Sequence, residues 1–207
     1  GYSFNFWIRD SIREYTSTYE ILIGMFFMLF CSLVLSESLF FITFFWSSFH
    51  ATCSLVWSQE GLYLPDPSEL TFTNTVLLSN SGLSLGCAYL FRCLFILCHS
   101  LCLWSFLLAF TFISLQVKEF HNITLYMNES IYSCVFFFLT GLHLFHVLVG
   151  ILLIGLMLWT SCYSRFIVNF ILYQLRVTPH HMNYTLQLVY WHFVECLWLF
   201  IYYVLYN

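Results

Sequence analysis

Three places in this 207-residue chain set ionisable side chains inside apolar sequence. Glu37 lies in an otherwise uncharged, aromatic-rich run from Ile21 to Trp57, centred on Ser36-Glu37-Ser38-Leu39-Phe40-Phe41. A carboxylate at mid-membrane depth costs about 2.5–3.5 kcal/mol on insertion scales, so such a group must be paired, protonated or used. His143 and His146, in Gly141-Leu142-His143-Leu144-Phe145-His146-Val147, are three apart and therefore neighbours on one helical face. Histidines so placed suit haem or metal ligation, or polar anchoring to a neighbouring helix. Haem held between helices needs opposed histidines, and few others are available: His50 and His99 near helix ends, and His192 in the last apolar stretch. His192 and Glu195 are again three apart and can hydrogen-bond on one face. A proton path would need polar groups along the whole bilayer depth, and the sequence between these sites is mainly Phe and Leu.

The elements that must hold these groups are membrane helices. Hydrophobic residues make up 61 % of the chain and charged residues 8 %, and the mean hydropathy is +0.84. Soluble domains carry about 25 % charged residues, so this is an integral membrane protein. The net charge of −4 is too diffuse to indicate a nucleic-acid partner. Phe (25) and Tyr (14) are abundant, as suits an AT-rich organelle genome, and the polar first twenty residues do not read as a cleavable signal. Nine cysteines, mostly in apolar runs and without a Cys-x-x-Cys pair, read as small buried residues; Cys98 and Cys102 fall on one helical face.

A helix needs about 20 apolar residues to cross the hydrocarbon core. Residues 1–20 read as a lead-in segment, and 21–207 as a single membrane domain with crossings at about 21–53, 72–91, 94–117, 130–163 and 184–206. The first and fourth are long enough to tilt or protrude. Leu64-Pro65-Asp66-Pro67-Ser68, the polar run Lys118 to Glu129, and Arg165 to His181 separate them. Only the second and third are joined tightly, near Arg92, which predicts an antiparallel hairpin. Five crossings put Arg9, Arg13, Arg92, Arg165 and Arg176 on the N-terminal side. The positive-inside rule makes that side cytoplasm-like, with the C-terminus across the membrane. The expected fold is an all-α polytopic bundle of five transmembrane helices.

Six motifs in order carry a family resemblance. Trp7-Ile8-Arg9-Asp10-Ser11-Ile12-Arg13-Glu14 opens the chain, followed by Ser36-Glu37 through Phe40-Phe41, Phe44-Phe45-Trp46 and His50. Next come Asn74-Thr75 with Leu78 and Ser81-Gly82, then Leu115-Gln116 with Glu119. Gly141, His143, His146-Val147 and Gly150 form the fifth, and Tyr190-Trp191-His192-Phe193-Val194-Glu195 the last. In this order and spread over the whole chain they resemble subunit III of cytochrome c oxidase. Departures include Glu195 where the family has Asp, Thr185 where a carboxylate commonly follows the His-His pair, and about ten additional residues between Gly150 and His180.

The resemblance implies the last five of the family's seven helices, the first two being lost or supplied by a separate polypeptide. It implies a non-catalytic core subunit of respiratory complex IV that supports catalytic subunit I during electron transfer from cytochrome c to oxygen, alongside the other complex IV subunits. Haem and copper would sit on partner subunits, with no cofactor or metal bound here and phospholipids as ligands. Glu37 matches the family's carbodiimide-reactive intramembrane acid. His50, His143, His146, His192 and Glu195 would be polar anchors of the bundle. Arg13, Glu14, His180 and His181 match positions at lipid headgroups, where charge-assisted hydrogen bonds hold phosphate. The implied location is the mitochondrial inner membrane, N-terminus in the matrix and C-terminus in the intermembrane space. Two alternatives share these features: subunit III of a quinol-type oxidase, and a small transporter using the buried acids and histidines as a path. A transporter predicts repeats or broken helices, and no Pro lies inside any crossing.

Overall fold

Long apolar stretches punctuated by proline and polar clusters give five helices among the described residues: α1 (Tyr2–Cys53), α2 (Leu70–Leu90), α3 (Phe95–Asn122), α4 (Ile131–Ile171) and α5 (His180–Tyr206). The computed structural model describes the backbone of residues 2–53, 70–91, 94–123, 126–128, 130–171 and 180–206. Side chains are described for 24, 25, 27–50, 70–91, 94–123, 126–128, 130–159 and 184–206. There is no strand among the described residues.

Among the described residues, four helical segments are long and apolar enough to cross a bilayer: Phe27–His50, Phe95–Asn122, Ile131–Trp159 and Tyr184–Tyr206. Helix α2, at 21 residues, is about 31 Å long at 1.5 Å per residue, yet falls short of them in hydropathy because of its Thr, Ser and Asn content. Its hydroxyls do not oppose membrane insertion. Thr73, Thr75, Ser81 and Ser84 each return a hydrogen bond of 2.6–2.8 Å to the carbonyl three residues earlier.

Two helix ends extend past the apolar stretches. The lead-in segment is helical from Tyr2, continuous with the first crossing. Helix α3 runs to Asn122, where the N–H of Ile123 closes the last turn on Glu119 O at 3.0 Å. Glu119 therefore belongs to the helix, and it is buried at 6 % exposure rather than lying in a polar connector. At the start of α4, the Ser130 hydroxyl accepts the N–H of Ser133 at 3.0 Å and caps the helix.

Two compact units divide the chain, Gly1–Leu39 and Phe40–Asn207. The first is helical from Tyr2, and Ser32, Ser36 and Ser38 bond back to carbonyls of their own helix. In the second, α2 packs on α3 and α5, α3 on α4, and α4 on α5, which closes a four-helix ring. The end of α1 joins it through rings: Phe41 lies edge-on to His146 at 5.3 Å, Phe44 stacks on Phe138 at 4.2 Å, and Phe45 meets Phe200 at 4.7 Å.

Paired contacts fix the directions. Asn74 with Gln116 and Ser81 with Ser105 make α2 and α3 antiparallel, the predicted hairpin. Tyr132 with Leu205 and His143 with Val194 make α4 and α5 antiparallel. Cys98 with Tyr184, Phe112 with Trp198 and Glu119 with Tyr206 set α3 and α5 parallel across the centre. The buried face of α3, Cys98, Cys102, Ser105, Ala109, Phe112, Gln116 and Glu119, alternates steps of four and three. That 3.5-residue spacing belongs to helices crossing at a shallow left-handed angle.

Candidate functional site: a layered polar core

The polar residues of the ring interior form layers, and each layer joins motifs far apart in sequence. At the end formed by the start of α2 and the end of α3, the Asn74 amide donates to Gln116 Oε1 at 3.2 Å. Gln116 Nε2 donates in turn to Glu119 Oε2 at 3.0 Å, and the Tyr206 hydroxyl donates to Glu119 Oε1 at 2.7 Å. Three donors thus converge, directly or in series, on one buried carboxyl group. Beside it the Tyr132 hydroxyl donates to Leu205 O at 2.6 Å. A buried polar group without such partners costs about 1–3 kcal/mol, so the cluster specifies which helices meet here.

The middle layer is aromatic. His143 is fully buried and its Nε2–H donates to Val194 O at 3.1 Å. This bond fixes the tautomer and leaves Nδ1 as an acceptor, which has no partner among the described residues. Its ring lies 5.0 Å from Trp198 and 5.9 Å from Phe112. His146, 5 % exposed, donates from Nδ1 to Leu142 O at 2.8 Å, and the Tyr190 hydroxyl donates to His146 O at 3.3 Å.

The third layer surrounds Trp191, which is 1 % exposed. Its Nε1–H donates to Ser81 Oγ at 3.0 Å, and the Ser105 hydroxyl donates to Ser81 O at 2.9 Å. The six-membered ring of the indole lies against Gly150, where a Cβ would come within 2.6 Å of Cζ3 and 2.8 Å of Cε3. Gly82 meets Glu195 in the same way: a Cβ there would overlap the Glu195 carboxylate. Both glycines are required for close approach, since each lies inside a helix against a bulky side chain of α5.

The residues singled out from sequence distribute as follows. His143 and His146 share the inner face of α4. His192 and Glu195 form a pair, Nδ1 to Oε2 at 2.9 Å, with side-chain exposures of 48 % and 16 %. Glu37 is partly exposed within the unit that ends at Leu39. His50 is exposed, 6.1 Å edge-on to Trp46, and is not brought to the other histidines. Arg13 and Glu14 fall in α1 and His180 and His181 at the start of α5, but their side chains lie outside the described residues. No group of three or more His, Cys, Asp or Glu side chains is close enough to hold a metal ion among the described residues. Sequence reasoning missed Glu119 and Gln116 as a buried pair, although they extend the four-three spacing of the buried α3 face by two more steps.

These features define a polytopic helical membrane protein with a polar core that bonds helix to helix. Comparison with known proteins gives the family. The profile described as "Cytochrome c oxidase subunit III" matches residues 2–207. The chain is 36 % identical to cytochrome c oxidase subunit 3 of Yarrowia lipolytica, over 97 % of this chain and 75 % of the relative. It is 31 % identical to that of Drosophila melanogaster, over 97 % and 77 %, and 29 % identical to that of Arabidopsis thaliana, over 99 % and 78 %. The chain belongs to the cytochrome c oxidase subunit III family.

Proposed function

We propose that this chain is a core subunit of a mitochondrial inner-membrane cytochrome c oxidase, with no redox centre of its own. It holds the catalytic subunit in place, binds structural phospholipids, and keeps proton uptake efficient while electrons pass from cytochrome c to oxygen. The family match across residues 2–207 carries this reading. The bonding of the core supports it. His143 donates a ring N–H across to Val194 O, which anchors α4 to α5. Haem and copper then reside on partner subunits, and catalytic subunit I and other complex IV subunits are the partners.

Arg13, Glu14, His180 and His181 are proposed to hold lipid headgroups on the matrix side, with the N-terminus in the matrix and the C-terminus in the intermembrane space. Glu37 is proposed as the functional intramembrane acid. The test is mild-detergent extraction followed by native separation and mass spectrometry. The chain should migrate with a haem-absorbing complex containing other oxidase subunits, and Glu37→Gln should leave the haem spectrum of that complex unchanged. Migration apart from any haem band, or a haem band lost with Glu37→Gln, refutes the reading.

A further inference from the structure

One ionisable pair is not enclosed by the ring. Along α5, Gln187, Tyr190, Trp191, Val194, Trp198, Ile201 and Leu205 are buried. The opposite side exposes Val189, His192, Cys196, Leu199 and Tyr203, again spaced three, four, three and four. The apolar span of α5 is Tyr184–Tyr206, so Glu195 is its midpoint and His192 lies about 12 Å from one end. The half-exposed imidazole therefore faces outward at the depth where lipid offers no hydrogen bond. His192 uses Nδ1 on Glu195, and Nε2 has no partner among the described residues. Lipid against such a nitrogen costs several kcal/mol, whereas a helix carrying a polar side chain satisfies it.

The shape of the stripe points the same way. A run of exposed positions 3.5 residues apart presents a straight seam to a second helix crossing at about 20°. Cys196, one turn from His192, is small and free, and allows close approach at the polar position. We propose that Val189, His192, Cys196, Leu199 and Tyr203 seat one transmembrane helix of another subunit of the complex. That helix presents a hydrogen-bonding side chain to His192 Nε2 near the middle of the bilayer. The inference rests on the oxidase-subunit reading and adds to it the face and the chemistry of one contact.

The test labels the intact complex with a lipid-soluble diazirine and maps adducts by mass spectrometry, then repeats this on the chain released into mild-detergent micelles. Val189, Cys196 and Tyr203 should label roughly fivefold less in the complex, since a packed helix excludes the reagent at its core. Retention of the chain during detergent titration should fall roughly three- to fifteenfold for His192→Leu, the range of an interhelical hydrogen bond, and recover with His192→Gln. Equal labelling of the stripe in both states overturns the inference. So does unchanged or improved retention of His192→Leu, the result that a lipid-facing histidine requires, and so does shielding that persists in a dimer of this chain alone. Absence of the chain from any haem-bearing complex would instead fail the reading beneath it.

Discussion

Replacing Gly150 with alanine tests the packing of the core at its tightest point. A Cβ at Gly150 would sit 2.6 and 2.8 Å from two atoms of the Trp191 ring, below any ordinary carbon–carbon contact. Trp191 cannot swing aside cheaply, because it is 1 % exposed and its Nε1–H is held by Ser81 Oγ at 3.0 Å. Overpacking of this kind costs about 1–3 kcal/mol. Alanine in a helix interior also gains about 0.5–1 kcal/mol over glycine, which would mask part of the loss. Gly141→Ala supplies the correction: it lies in the same helix and a Cβ there meets nothing within 4 Å. The difference between the two variants isolates the steric term, expected at about 1–3 kcal/mol against Gly150→Ala. Denaturing-detergent titration of the purified complex, followed by tryptophan fluorescence, measures it. Equal midpoints for the two variants would refute the contact between α4 and Trp191.

Two other core contacts lead to further expectations. Ser81→Ala leaves the indole N–H buried without an acceptor and should destabilise by about 1–3 kcal/mol, while adding Trp191→Phe should restore part of the loss by removing the orphaned donor. A double variant no more stable than Ser81→Ala would argue against this bond. Tyr206→Phe should cost about 1–2 kcal/mol through the hydrogen bond to Glu119, and a cycle with Glu119→Gln should show at least about 0.5 kcal/mol of coupling. Strict additivity, read from denaturation midpoints, would mean that the two groups do not interact.

The helices themselves were legible because apolar runs and breakers are local signals. The six motifs were legible as strings, but not the contacts that explain them. Asn74 bonds Gln116, Ser81 bonds Trp191, Gly82 and Gly150 receive Glu195 and Trp191, and Glu119 bonds Tyr206. Each of these contacts joins residues on two different helices, and no local periodicity reveals such pairing. Glu119 shows where a helix outruns its apolar stretch. Lys118, His121 and Asn122 around it are polar, so the segment reads as a connector, yet the helix continues and turns this one carboxyl group inward. Hydropathy averages a window, while burial is decided one face at a time. The same averaging leaves α2 below the other helices in hydropathy, because its inward face is built from Thr71, Asn74, Thr75, Ser81 and Ser84. The pairing of His192 with Glu195 was legible from their spacing alone, because both residues sit on one helix.

The most direct test of the scaffold role follows the metal. Releasing this chain from the purified complex and assaying both fractions for haem iron and copper should leave all of both metals, and the redox-active absorption bands, with the remaining subunits. Iron or copper travelling with the released chain in stoichiometric amount would contradict the account.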